Sequence, residues 1–367
     1  MRIFYWITGS LLGVLLATIA VLAVALAYNA ACPSPAESSP GKDIMQAVTY
    51  QCYGSPEVLQ VVETGRPQPA ENEMLVRVKA ASVNPMDWHY MRGSPNFMRL
   101  MSGIGRPADT RLGTDFAGVV ESVGVEVSAF KPGDTVFGGA TGAFGEFVVL
   151  AADRSVTHMP PGISFAEAAA IPVAAITALQ ALRDSGRVQA GQRVLINGAS
   201  GGVGGYAVQI ARSLGATVIG VCSTRNVERV LALGADRVID YTISDYTRGE
   251  EEYDLIVDLV GNHSVQANRR VLASGGRMVM VAGGQGDWLG PLKNPIMAAL
   301  LSPFVKQEFV TLLARLGKPD LDALAAMMAR GELRSVIDRH YPLSRVAEAI
   351  AYSETGRAQG KIIVDID

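Results

Sequence analysis

Short runs in which apolar and polar positions interleave open the body of the chain: MQAVTY (45–50), EVLQVVET (57–64), MLVRVKAASV (74–83), FAGVVESVG (116–124) and EFVVLAA (146–152). Gly and Pro punctuate them, as in PGD at 132–134 and GG at 138–139. This texture predicts a mostly β domain of about a hundred residues. From about Phe165 the pattern changes. Helix-like FAEAAAIPVAAITALQAL (165–182) is followed by short, nearly all-apolar runs, RVLING (193–198), TVIGVCS (217–223), RVID (237–240), YDLIVDLV (253–260) and RMVMVAG (277–283), alternating with helical stretches. Strands of this kind alternating with helices predict βαβ units and a parallel sheet buried on both faces. Past Trp288, PLKNPIMAALLSPFVKQEFVTLLARLGK (291–318) and DLDALAAMMARGEL (320–333) read as amphipathic helix. The closing KIIVDI (361–366) reads as a strand that returns to the first domain. The fold class is α/β.

Ahead of this body, Ile3 to Ala27 carries no charge, and CPSPAESSPGKD (32–43) reads as a flexible linker. About 25 apolar residues make roughly 37 Å of helix, enough to span a bilayer. A secretory apolar region is shorter, although ALA at 25–27 resembles a cleavage site. Asn29 before Ala30, Ala31 and Cys32 fits a lipoprotein signal poorly. Phe4, Tyr5 and Trp6 would suit an interfacial aromatic belt. The sequence therefore favours an uncleaved transmembrane helix over 1–30.

With 367 residues there is room for two domains. A net charge of −3 argues against nucleic acid as partner. Cys32, Cys52 and Cys222 form no CxxC pair and no disulfide framework, so nothing in them points to an oxidising compartment. The four histidines are scattered, and no metal site is expected.

The strongest chemical signal is RVLINGASGGVGGYAVQIARSLGA (193–216), a strand, a glycine turn and a helix, followed by a second strand. That order places Gly198, Ala199, Gly201, Gly202, Val203 and Gly204 where the backbone can approach a pyrophosphate at a helix N-terminus. The second strand ends in Cys222, Ser223, Thr224, Arg225 and Asn226, with no carboxylate for a ribose 2′-hydroxyl. Hydroxyls and a guanidinium suit a 2′-phosphate, so NADP(H) is the expected cofactor. Arg225 can also be read as a solvated loop residue.

At this point YGSPEVL (53–59), ASVNPMDW (81–88), LGTDFAGVVESVG (112–124), KPGDTVFG (131–138), INGASGGVGGYAVQIA (196–211) and GADRVIDY (234–241) can be taken together. With these motifs the chain from about Met45 resembles the zinc-independent, quinone oxidoreductase-like branch of the medium-chain dehydrogenase/reductase superfamily. The resemblance implies a GroES-like catalytic domain over 45–165, completed by 305–367, and a Rossmann NADP-binding domain over 166–304. The leader (1–30) and a linker (31–44) precede them. It implies that Asn84 and Asp87 lie beside nicotinamide and substrate and that Tyr53 hydrogen-bonds a carbonyl. Thr177 would approach the nicotinamide, Ser223, Arg225 and Tyr241 would surround the 2′-phosphate, and Gly261, Gly360 and Lys361 would make further cofactor contacts. Asn84 with Pro85 can instead shape a turn, and Asp87 can cap the next helix.

Zinc-dependent relatives carry Gly-His-Glu where this chain has Gly113-Thr114-Asp115, and they have a four-cysteine lobe that is missing here. Without a Lewis acid the favoured acceptor is already electrophilic, a quinone or an α,β-unsaturated carbonyl. Pro95 stands near the place where enoyl-thioester reductases of the family have a tyrosine. The alternatives are a zinc-independent alcohol or aldehyde dehydrogenase and a non-catalytic NADPH-binding membrane scaffold. The resemblance also implies a homodimer. The need for NADPH places the catalytic body on the cytoplasmic side of a membrane. The apolar stretch 288–309 either borders the substrate entrance and rests on a bilayer or packs in an interface.

Overall fold

Strands of the sequence RVLIN, TVIGVC and YDLIVD bury nearly every side chain, as a parallel sheet covered on both faces demands. A computed structural model describes residues 17–33, 43–281, 286–288 and 290–367 of the chain. In it these strands lie at the centre of a six-stranded parallel sheet. Its order is Arg237–Asp240, Thr217–Cys222, Arg193–Asn197, Tyr253–Asp258, Leu272–Met280 and Glu308–Thr311.

The first domain is built on the long strand Glu73–Val83, whose inward-facing Met74, Val76 and Val78 are fully buried. The sheet order is Ile337–Pro342, Lys361–Asp365, Glu73–Val83, Asp115–Val123, Thr135–Gly139 and Val156–His158, with Phe147–Ala151 also paired to Glu73–Val83. The C-terminal strand pairs antiparallel with Glu73–Val83, matching Ile362 to Val83 and Ile363 to Ser82. The chain thus ends inside the domain in which the body began. The first two strands, Ile44–Thr49 and Gln60–Gly65, form a separate antiparallel pair.

Three expectations are corrected. The run EFVTLL was read as helix, but the helix Lys293–Leu301 stops short of it and Glu308–Thr311 is a strand on the edge of the parallel sheet. Pro303 interrupts the helical pattern, and the aromatic and β-branched Phe309, Val310 and Thr311 prefer a pleated edge. The parallel sheet therefore extends beyond residue 304.

The expected membrane-spanning helix is not supported. Residues 17–27 are helical, residues 1–16 lie outside the described residues, and among the described residues no helix is long and apolar enough to cross a membrane.

Finally, although the cysteines form no CxxC pair and no framework, Cys32 and Cys52 form a single disulfide with a Cα separation of 5.0 Å. Twenty residues of sequence separate them, and only the docking of the leader onto the body brings them together.

Candidate functional site: a nucleotide cleft at the junction of the two sheets

The two domains join at the start of the terminal strand. Lys361 Nζ donates to Asn84 Oδ1 at 2.6 Å and to the Val83 carbonyl at 3.3 Å, and lies 3.5 Å from the Asp115 carboxylate. Asp115 also accepts from Ser82 Oγ at 3.0 Å, Asn84 Nδ2 at 2.9 Å and the Val173 N–H at 3.0 Å. Val173 lies in the first turn of the helix Pro172–Leu179. One carboxylate therefore ties together the first sheet, the terminal strand and the helix leading into the nucleotide domain. Burial pushes Asp115 up and Lys361 down, and the charge of each opposes the shift of the other.

The predicted site residues divide between two clusters. Asn84 belongs to the Lys361 cluster and also caps the helix Pro85–Arg92. Asp87 completes the capping box, with its carboxylate accepting from the Asn84 N–H at 2.7 Å. It is buried, which pushes it up to about 7, while the Asn84 N–H pulls the other way. Asp87 thus supports the backbone of Asn84. Tyr53 lies in the second cluster. Its hydroxyl donates to the Gly103 carbonyl at 2.7 Å and lies 2.9 Å from Ser102 Oγ, with the Arg99 guanidinium 4.7 Å above the ring. Thr177 Oγ1 donates to the Val173 carbonyl at 2.6 Å, one turn from the Asp115–Val173 bond.

The glycine turn has the form the sequence requires. Gly198 has φ +91°, and its N–H and that of Ala199 both donate to the Val221 carbonyl. A Cβ on Gly204 would lie 2.1 Å from the Gly198 carbonyl, so helix and turn pack here with no room for a side chain. The helix Gly202–Ser213 starts at Gly201 without a side-chain cap, leaving its first N–H groups for an anion. A Cβ on Gly202 would lie 3.1 Å from Lys361 Cδ and 3.7 Å from the Gly360 carbonyl. Gly360 and Lys361 therefore border the glycine turn.

Ser223, Arg225 and Tyr241 also gather at one place. Ser223 Oγ accepts from Asn226 Nδ2, which also donates to Ser200 Oγ in the glycine turn, both at 3.1 Å. Arg225 Nη2 donates to the Arg357 carbonyl at 3.5 Å, and the Tyr241 N–H donates to the Cys222 carbonyl. The carboxylate at the neighbouring strand end, Asp240, is occupied by the Thr242 N–H and hydroxyl at 2.9 and 2.7 Å.

Two residues of the site carry no sequence motif of their own. Arg229 donates to the Ser200 and Gln359 carbonyls, bracing the glycine turn against the terminal segment. Asp258 accepts from Asn197 Nδ2 at 2.8 Å, the Val260 N–H at 3.2 Å and the Gly261 N–H at 3.0 Å. It thereby holds the loop that carries Gly261 next to Gly198, whose Cβ would lie 2.8 Å from Val260 Cγ2. Asp115 lies in the motif LGTDFAGVVESVG, at the position where zinc-dependent relatives carry Glu. Its role as the junction becomes visible once strand pairing brings residues 82, 84, 115, 173 and 361 together.

A small cavity beside the glycine turn is lined by Ser200, Gly201, Gly202, Tyr206, Arg229 and Gly360. The glycine backbone and the uncapped helix N-terminus suit the pyrophosphate half of a dinucleotide.

Residues 70–163 match the alcohol dehydrogenase GroES-like domain, and residues 233–364 match the family described as zinc-binding dehydrogenase. Among the described residues there is no group of three or more His, Cys, Asp or Glu placed to hold a metal ion. The quinone oxidoreductase of Sus scrofa is 36% identical over 329 residues, which is 84% of this chain and 94% of that protein. The quinone oxidoreductase structure from Coxiella burnetii superposes with a TM-score of 0.78 at 30% identity, covering 89% of this chain and all of that one. The Escherichia coli quinone oxidoreductase complexed with NADPH gives 0.75 at 27% identity, over 88% of this chain and all of that one. The chain belongs to the zinc-independent, quinone oxidoreductase-like branch of the medium-chain dehydrogenase/reductase superfamily and is an oxidoreductase.

Proposed function

We propose that this chain is an NADPH-dependent reductase that delivers hydride to a quinone or an α,β-unsaturated carbonyl without a catalytic zinc. NADPH, when bound, supplies the hydride from its nicotinamide C4. The observation that carries the reading is the seat of Lys361. It stands against the glycine turn on one side and on Asn84 and Asp115 on the other, at the junction where a dinucleotide would cross from one domain to the other.

The protein's own residues orient and shield. The N–H groups at the start of Gly202–Ser213 receive the pyrophosphate. Ser223 and Arg225 would face the 2′-phosphate, where a guanidinium offers charge-assisted hydrogen bonds. Asn84 and Lys361, fixed by Asp115, and Thr177 would hold the nicotinamide. Tyr53 offers a hydroxyl to the substrate carbonyl when it leaves the Gly103 carbonyl. Asp115 is committed to Ser82, Asn84, Val173 and Lys361, so it acts as a structural anchor. An acceptor activated by its own conjugation needs no Lewis acid, and solvent can protonate the reduced product.

Steady-state consumption of NADPH and NADH with a panel of quinones, enones, aldehydes and alcohols tests this reading. Turnover on quinones or enones with NADPH preferred supports it. Turnover confined to alcohols or aldehydes, or tight NADPH binding without turnover, overturns it.

A further inference from the structure

The Cys32–Cys52 disulfide joins the leader to the body at the residue next to Tyr53. Around it, backbone and side-chain hydrogen bonds hold the described part of the leader on the body. Arg99, itself buried, donates to the Leu26 carbonyl at 2.9 Å and the Tyr28 carbonyl at 3.1 Å. The Ala30 N–H donates to the Gly105 carbonyl at 2.8 Å, and Leu26 is the large leader side chain that is buried. Ile19, Val21, Leu22 and Val24 remain exposed, so the leader helix itself adds little to the docking. The segment it docks on, residues 99–105, contains Ser102 and Gly103, the two partners of the Tyr53 hydroxyl. Arg99 also donates to the Gly93 carbonyl at 2.7 Å and lies over the Tyr53 ring, so leader, segment and tyrosine share one cation.

We propose that Cys32–Cys52 is a redox-modification site, a clasp opened by dithiol reductants, that holds the leader on segment 99–105 and so fixes the hydrogen bonds of Tyr53. The two cysteines differ in access: Cys32 is exposed and Cys52 is buried. An attacking thiolate reaches Cys32 Sγ and forms a mixed disulfide, while the bond to Cys52 breaks and Cys52 leaves as a thiolate that takes up a proton. The second thiol of the reductant then displaces Cys32. The reductant ends as a disulfide, and two electrons and two protons have passed to the two cysteines. Oxidation by a disulfide of the same class reverses both exchanges. With the bond intact the leader is held close to its docking segment by a short cross-link. Once it opens, only the main chain tethers the leader, and its contacts must hold at a lower effective concentration. Cys222 takes no part: it is buried in the nucleotide domain, and burial pushes its thiol up to about 11.

Alkylation and hydrogen exchange on the full chain, equilibrated with oxidised or reduced dithiothreitol, test the clasp without reference to turnover. In the oxidised protein Cys32 and Cys52 are expected to resist alkylation even after denaturation, and Cys222 to react only then. Reduction is expected to expose two further thiols and to speed amide exchange in 26–32 and 99–105 about tenfold or more. Cys32→Ser, at an exposed position, should reproduce the fast exchange without reductant. Free alkylation of both cysteines after treatment with oxidised dithiothreitol overturns the proposal. So does exchange in 99–105 that stays unchanged on reduction and in Cys32→Ser.

Discussion

Lys361 and Asp115 lie 3.5 Å apart with 4% and 0% of their side chains exposed, one at the start of the last strand and the other at the start of a strand 246 positions earlier. Such a pair costs desolvation and repays it only when its remaining hydrogen bonds are made. Here Asn84, Ser82 and Val173 make them. The pair therefore serves geometry: it fixes where the terminal strand meets the glycine turn.

Removing one partner should expose that dependence. Asp115→Asn leaves a buried ammonium without its counter-charge, at a cost of about 3–5 kcal/mol. A fall of several degrees or more in thermal midpoint is expected, with weaker NADPH binding in the protein that still folds. A thermal melt and a nucleotide titration check both. An unchanged midpoint would mean that the ion pair does not hold the junction.

Asp87 gives a pH dependence with a definite sign. Its pKa is raised from 3.8 unfolded to about 7 in the buried capping box. The native state thus keeps a proton that the unfolded chain has lost. The stability contributed is fully present below about pH 4 and is lost as pH climbs through 7. A shift of this size corresponds to about 4 kcal/mol across that window. Asp87→Asn keeps an acceptor for the Asn84 N–H and should flatten the profile between pH 4 and 7. Denaturant unfolding at a series of pH values measures it, and an identical profile in the variant would contradict the assignment.

Nucleotide choice should depend on Arg225 at the second strand end. Arg225→Glu places a carboxylate where a 2′-phosphate is expected. It should raise KM for NADPH about 10–100-fold, as loss of one or two charge-assisted hydrogen bonds implies, with little change for NADH. Equal effects on both nucleotides would mean that this side chain does not read the phosphate.

The glycine turn should tolerate no methyl group at 204. Gly204→Ala puts its Cβ 2.1 Å from the Gly198 carbonyl, and the backbone must yield. A loss of about 1–3 kcal/mol is expected, with NADPH affinity reduced in parallel. Denaturant midpoints and a nucleotide titration would show it, and wild-type values for both would refute the packing argument.

How far the sequence carries depends on whether the signal is local. The parallel strands could be read from their apolar runs, and the glycine turn from its spacing, because strand, turn and helix are contiguous there. The strand Glu308–Thr311 was hidden behind a helical neighbour that Pro303 cuts short. Asn84 and Lys361 were named separately, but their contact depends on the antiparallel pairing of 73–83 with 361–365. Arg229 and Asp258 act through backbone carbonyls and N–H groups of distant loops, which leaves no motif. The Cys32–Cys52 bond was missed for the same reason, since it requires the leader to fold back onto residues 99–105.

Transfer of deuterium from C4-deuterated NADPH tests the central claim most directly. The account predicts a primary kinetic isotope effect on turnover of an enone or quinone and, with an enone, deuterium bonded to the β-carbon of the product. Tight NADPH binding without turnover of either acceptor, or turnover with no isotope effect and no deuterium in the enone product, would contradict it.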